Sequence, residues 1–179
     1  MRAKVRGYFG VGVEGLSKVM NAGNLFRSAH AFGASFIFTI ASDPKIRNSP
    51  GDTSRAQDNL PWYGYASVAE LALPQGCQIV GCELLDEAVD LPSFRHPLKA
   101  AYVFGPERGS LSKELVARCD HLVKIPTSFC INVATAAAIV LYDRTISLGR
   151  FAERPVSALA RPVPPEPHVH GGPKFRRPR

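Results

Sequence analysis

"NAGNLFRSAHAFGASFIFTIA", residues 21–41, holds a helix and then a strand, and its reading decides the fold class. Leu25, Phe26, Ala29 and Phe32 recur at helical spacing and Gly33 offers a stop, which predicts a helix over 24–32. Asn24 reads as the N-cap, because its side-chain oxygen can accept from the free N–H groups of a first turn. Beyond Gly33, "SFIFTIA" (35–41) is apolar, aromatic and β-branched, the composition of a strand. Asn21, Asn24 and Arg27 stand at three-residue spacing, and Arg27 and His30 fall off the apolar stripe. With the helix starting at Asn24, Arg27 lies one turn in, where a positive charge opposes the helix dipole. That placement is tolerable where something anionic binds.

The same alternation runs along the chain. Candidate strands are "VRGYFGVGV" (5–13), 35–41, "CQIVGCEL" (77–84), "AAYVFG" (100–105) and "HLVKIP" (121–126). Helical patterns lie at 24–32, "SVAELAL" (67–73), "SLSKELVARC" (110–119) and "INVATAAAIVLYDRTISLGR" (131–150), with one short helix expected at 53–59. Strands alternating with helices predict an α/β domain with a largely parallel sheet. The last helix is the most apolar. Its Ala134, Ala136, Ala137 and Ala138 suit close packing on the sheet, and equally on another helix or a partner chain.

A chain of 179 residues suits one domain with a sizeable core. No apolar run approaches the ~20 residues that span a bilayer. The start, "MRAKVRGYFG", lacks the apolar core and cleavage site of a signal peptide. Cys77, Cys82, Cys119 and Cys130 are scattered, without a C-x-x-C pair, and read as reduced thiols of a cytoplasmic protein. The net charge is +7. Residues 151–179 carry six cations against two carboxylates and seven of the fifteen prolines. The expected organisation is therefore a folded domain over 1–150 and a basic, Pro/Arg-rich, disordered tail over 151–179. Such a tail can bind nucleic-acid phosphates, and its composition fits a merely solubilising role equally well.

Gly10-Val11-Gly12-Val13-Glu14-Gly15 matches G-x-G-x-x-G, which suggests a nicotinamide dinucleotide site. That motif works by opening a helix directly onto pyrophosphate. Here "LSKVMNAGN" follows instead, and no acidic residue stands about twenty positions on at a strand end. Stronger signals come from three segments that each end a strand. They are the opening stretch, "YVFGPERGSLSKEL" (102–115) with a helix capped by Ser110 or Ser112, and "VKIPTSFCINVATAAAI" (123–139). Ligands of parallel sheets bind outside the carboxyl ends of strands, so these loops can line one site.

Together, "NAGNLFRSAHAFG", "YVFGPERGSLS" and "IPTSFCINVATAAAIVLYD" resemble the three ordered motifs of the SpoU/TrmH branch of the SPOUT RNA methyltransferases. The usual forms there are N-x-x-N-x-x-R-[ST]-A-x-x-F-G, F-G-x-E-x-x-G-[LI], and I-P-M with a short loop before S-L-N-V-[SA]-x-A-x-A. The resemblance covers roughly residues 5–150. It implies a parallel α/β sheet with helices on both faces and a C-terminal deep trefoil knot. It further implies S-adenosylmethionine as cofactor, no metal, no membrane, a homodimer whose sites are finished by the partner, and 2′-O-methylation of a ribose in RNA. The RNA is expected to be tRNA, with rRNA as the alternative.

Carried over by residue, Glu83, Gly105, Ile125, Cys130 and Asn132 would contact the cofactor, Glu83 by position only. Arg27, Asn24, Glu107 and Asn132 would form the catalytic set, with Arg27 facing the ribose-phosphate. The family assigns that arginine the role of base. Guanidinium is hardly ever deprotonated, so holding phosphate and stabilising a developing alkoxide is an equally tenable role.

Two departures matter. Cys130 stands where the family usually has Ser, and "NVAT" (132–135) replaces N-V-S-V, which bears on cofactor affinity. The chain is expected to be a minimal, single-domain form. "SRAQDNLPWYGY" (54–65) is similar to a segment of the minimal members that methylate the tRNA wobble ribose, where it lies near the dimer interface, and Trp62 and Tyr63 fit a place in the core equally well. A non-catalytic dimer that binds cofactor and RNA is the rival reading.

Overall fold

Seven short segments form one sheet among the described residues. The computed structural model describes residues 7–48, 56–106, 109–149, 151–155, 157 and 159–164. The strands are β1 (Tyr8–Glu14), β2 (Phe36–Ile40), β3 (Trp62–Tyr65), β4 (Gln78–Cys82), β5 (Val89–Asp90), β6 (Lys99–Phe104) and β7 (His121–Lys124). They lie in the order β3-β2-β1-β6-β4-β7-β5, and every neighbouring pair is parallel. The helices are α1 (Val19–Ala31), α2 (Ala56–Asn59), α3 (Lys113–Arg118) and α4 (Val133–Leu148). None is long and apolar enough to cross a membrane among the described residues.

Strand alternation divides the core between two faces. Phe9, Val11 and Val13 of β1 point to one face, where Leu25, Phe26 and Ala29 of α1 meet Val133, Ala137, Val140 and Leu141 of α4. Phe36, Phe38 and Ile40 of β2 point to the other, beneath Val68, Leu71, Leu111 and Leu115. Helices α1 and α4 thus cover one face, and α3 with the turn around Val68 and Leu71 covers part of the other. The alanines of α4 serve this layer: α1 and α4 pack on each other, and a bulkier row would hold them apart.

The glycines of the apparent dinucleotide fingerprint have a packing role. A Cβ at Gly10 would lie 2.2 Å from the Phe36 ring, and one at Gly12 2.3 Å from the Phe38 ring. The two phenyl rings lie over β1 in the space that the missing side chains leave. No helix opens after Gly15, so the geometry gives pyrophosphate no helix N-terminus at that point.

Several boundaries depart from the sequence reading. α1 starts at Val19, with Lys18 as an N-cap that makes no side-chain capping bond. Asn24 is therefore inside the helix, and its expected cap role is wrong. Burial moved the start: Ala22 and Gly23, ahead of Asn24, are already packed inside, so tertiary contacts extend the helix past the local signal. The stop is as expected, with Gly33 at φ +80°. The stretch 67–73 is not a helix. Val68 and Leu71 bury as turn residues, Arg118 takes both their carbonyls, and Pro74 follows. β3 and β5 carry no strand signal in the sequence, being four and two residues long.

At the amino-terminal end of the strands, α4 is pinned to β6 by buried polar groups. Arg144 is fully buried and donates to the carbonyls of Pro97 (2.6 Å) and Leu98 (3.1 Å) and to the Tyr102 hydroxyl (3.2 Å). Its guanidinium lies 4.7 Å from the centre of the Phe9 ring, within cation–π range. Tyr102 Oη is 2.6 Å from His96 Nδ1, and His96 Nε2 is 2.8 Å from Asp143 Oδ2. One assignment satisfies the whole chain of bonds. Arg144 donates to Tyr102, Tyr102 to neutral His96, and His96 to Asp143. Burial lowers the His96 pKa, opposed by the bond to Asp143, and pushes Tyr102 up to about 12.

The chain divides into two compact units, Met1–Gly149 and Arg150–Arg179. In the second, the described residues carry neither helix nor strand, and Ala160 N–H donates to Ser157 O at 3.0 Å in a turn.

Gly10→Ala is expected to destabilise the fold by about 1–3 kcal/mol through overpacking against Phe36. Chemical denaturation checks this, and an unchanged midpoint would contradict it. Folded His96 binds a proton less readily than it does unfolded, where its pKa is near the ordinary 6.5. The stability it contributes is therefore complete above that value and lost as the pH falls below it. Melting from about pH 7.5 to about pH 5.5 should show a steeper fall for the parent than for His96→Gln. Parallel slopes would contradict the assignment.

Candidate functional site

The carboxyl ends of β4, β6 and β7 and the start of α1 enclose a cavity of about 410 Å³. It is lined by Lys18 and Asn21 from α1, by Cys82, Glu83 and Leu84 at the end of β4, and by Phe104, Gly105, Pro106 and Gly109 at the end of β6. Lys124, Ile125, Thr127, Cys130, Ile131, Asn132 and Val133, with Ala136, complete it from the β7–α4 connection. The volume falls within the range of about 300–1,000 Å³ usual for small-molecule sites. The walls are mixed, with apolar Leu84, Phe104, Ile125 and Val133 beside polar Glu83, Asn21 and Asn132.

Asn132 joins two of the loops. It is the N-cap of α4: its Oδ1 accepts from Ala134 N–H at 2.9 Å and Thr135 N–H at 3.4 Å. Its Nδ2 donates to Asn21 Oδ1 at 3.1 Å. One amide therefore caps the start of α4 and ties it to the first turn of α1.

Two carboxylates fix the loop after β6. Glu83 Oε2 accepts from Leu111 N–H at 2.8 Å, and its Oε1 from Leu84 N–H at 3.0 Å. Glu14, buried at the end of β1, accepts from Ser112 N–H at 2.7 Å and Ser112 Oγ–H at 2.6 Å. Ser112 Oγ in turn accepts from Leu115 N–H at 3.1 Å, capping α3 as the sequence allows. Sequence reasoning misses Glu14 because it lies in the misleading glycine motif, and its partner is 98 residues away. At Gly105 a Cβ would come within 3.2 Å of Leu111 N and 3.6 Å of Glu83 Oε2. Glycine there lets the β6 loop close over the cavity.

Glu83, Gly105, Ile125, Cys130 and Asn132 are thus brought together around one cavity. Asn24 and Arg27 are not among its lining residues. They are exposed on α1, one and two turns beyond Asn21, and continue its stripe at i+3 and i+6. Arg27 lies in the second half of α1, so no opposition between its charge and the helix N-terminus arises. Glu107 lies outside the described residues. The Cys130 thiol is exposed, whereas burial pushes Cys82 up to about 12 and Cys119 up to about 11, leaving both as neutral thiols. Thr127 Oγ–H donates to the Phe129 carbonyl at 2.9 Å and shapes the turn that carries Cys130. Among the described residues, no group of three or more His, Cys, Asp or Glu side chains could hold a metal ion.

The chain is similar to a tRNA (guanosine(18)-2'-O)-methyltransferase from Borreliella burgdorferi, 28% identical over 142 residues. The match takes in 76% of this chain and 65% of that relative. The chain spans less than two thirds of the length of the curated relatives it matches. Two solved structures share the fold. The SpoU methyltransferase AviRb from Streptomyces viridochromogenes, in complex with the cofactor AdoMet, superposes with a TM-score of 0.69 at 24% identity. That match covers 79% of this chain and 58% of that one. A structure described as giving insight into the 2-OH methylation of C/U34 on tRNA has a TM-score of 0.66 at 26% identity. It is covered over 91% of its length by 79% of this chain. The SpoU rRNA Methylase family model matches residues 9–142, a span that includes all three strand-end loops, and the chain belongs to that family.

Proposed function

We propose that this chain is an S-adenosylmethionine-dependent RNA methyltransferase that methylates a ribose 2′-hydroxyl, with tRNA as its substrate class. The observation that carries the reading is the convergence of the three motif loops on one cavity, with Asn132 bonded to Asn21 across it. The 26%-identical structure concerned with tRNA, matched over nearly its full length, favours tRNA over rRNA.

The residues around the cavity fit the cofactor. The volume and the apolar walls suit the carbon skeleton of a nucleoside. In this reading Gly105, Ile125 and Cys130 hold the cofactor largely through backbone groups, so Cys130 in place of Ser costs a side-chain bond and keeps the main-chain one. Glu83 and Asn132 hold the loops in register. When bound, S-adenosylmethionine supplies a methyl group on an electrophilic sulfonium. The protein has to align the ribose oxygen with that methyl, and Arg27 with Asn24 would hold the ribose-phosphate for in-line approach. Arg27 stabilises the alkoxide character that develops as the hydroxyl loses its proton. Glu107 belongs to the same set by its motif position.

The reading extends to a homodimer. Thr135, Ile139, Tyr142 and Ile146 line an exposed stripe of α4, and the two isoleucines and Tyr142 are large apolar side chains open to solvent. In this reading the partner's α1 supplies an Arg27 that completes the neighbouring site. The reading also includes the trefoil knot. Its support is that the chain enters the sheet twice between earlier strands, β6 beside β1 and β4, and β7 beside β4 and β5. A cytoplasmic setting, where tRNA is processed, belongs to this reading as well.

The decisive assay supplies methyl-labelled S-adenosylmethionine with separate unmodified tRNA and rRNA transcripts, followed by nucleoside analysis. Label in a 2′-O-methyl nucleoside of tRNA is expected; label in rRNA alone reassigns the substrate, and cofactor binding with no transfer to either favours a non-catalytic dimer. Arg27→Ala should slow single-turnover transfer by roughly 10²–10³-fold while calorimetric cofactor affinity stays unchanged. Near-parental transfer would remove Arg27 from the mechanism.

A further inference from the structure

On the sheet face that carries α3, two tyrosines stand half-open. Tyr8 and Tyr63 are 40% and 46% exposed there. Both lean on buried Phe36, Tyr8 stacked at 5.5 Å between ring centres and Tyr63 edge-on at 6.1 Å. Phe36 can occupy that position only because Gly10 has no side chain. Strand register continues the row: Tyr8 pairs with exposed Lys99, whose stem passes Gly76, with Cys77 as the next neighbour. One half-open ring is thus set beside a cation, and the second lies across Phe36 from it.

Lys99 is the cation that strand register sets beside Tyr8. Arg2, Lys4 and Arg6 precede Tyr8 in sequence, and the first carboxylate of the chain is Glu14, at the far end of β1 and turned into the loop after β6. Exposed aromatic faces with neighbouring cations suit unpaired bases, which stack on rings while phosphates meet Lys and Arg.

We propose that Tyr8 and Tyr63, with Lys99 beside Tyr8, form a platform for single-stranded RNA, separate from the cavity at the carboxyl ends of the strands. The inference rests on the reading of this chain as an RNA-modifying protein. β1, seven residues or about 20 Å long, separates Tyr8 from the cavity rim, while strand register sets Tyr63 beside Phe38 and through it level with Gly12. An unpaired stretch of a few nucleotides spans that distance. The platform would therefore select RNAs in which the modified ribose lies a few nucleotides from unstacked bases.

Fluorescence anisotropy with a labelled oligouridine of about twelve nucleotides tests this on the full chain. Tyr63→Ala and Tyr8→Leu should each weaken binding by roughly five- to hundred-fold, and Tyr63→Trp should retain it. Lys99→Gln should lower the salt slope by about 0.7. Cofactor affinity should be unchanged in every variant, which also reports that each is folded. Should Tyr8→Leu fail to fold, the Tyr63→Ala and Tyr63→Trp pair decides. Variants that bind the oligomer like the parent overturn the platform and leave the methyltransferase reading standing. Variants that lose a dimer in sedimentation while keeping their RNA affinity overturn it equally, because a second copy then covers the face. A parent that methylates tRNA and does not bind the oligomer overturns it too. Failure of transfer to any RNA by the parent counts against the functional reading itself.

Discussion

The Asn132 side chain is the point on which the site depends. A carboxamide has one end that accepts and one that donates, and both are used. The oxygen closes the first turn of α4, and the nitrogen reaches Asn21 in α1. Helices drawn from opposite ends of the sequence thus share a corner, and the cavity lies against it. An Asp there could cap the helix equally well and would lose the donor. A Ser could cap and would not reach.

Around that corner the parallel sheet does the arranging. All strands point the same way, so each loop that leaves a carboxyl end arrives on one rim, whatever its distance in sequence. Glu14, Glu83 and Asn132 come from three different loops, and each satisfies backbone N–H groups belonging to another loop or a helix start. The rim is held by side chains bonded to main chain, a stiffer arrangement than contacts between long side chains. At the opposite rim, Arg144 and the His96–Asp143 pair anchor the far half of α4 to the start of β6. The helix that carries Asn132 is therefore fixed at both ends.

Much of this is legible in the residues. Alternating apolar patterns point to the α/β class, and the three loops mark the rim, because glycine, proline and cap residues follow apolar strands there. Asn24 misleads because a cap residue signals a helix start only when nothing ahead of it is buried, and Ala22 and Gly23 are. Residues 67–73 have helical spacing, but Arg118 holds the Val68 and Leu71 carbonyls and the sheet takes both side chains, which fixes a turn instead. Glu14 cannot be read at all. Its meaning depends on Ser112, and nothing local to either residue announces the pair. The glycine motif misleads for the opposite reason, since a pattern that suits a phosphate loop suits two phenyl rings equally well.

Whether the rim cavity is the cofactor site is tested most directly by a crystal structure of the chain with S-adenosylhomocysteine. Density for the whole molecule is expected between Gly105, Ile125 and Asn132, with its sulfur on the side of Asn21. Density elsewhere on the chain, or an empty cavity at saturating ligand, would contradict a cofactor site at this rim.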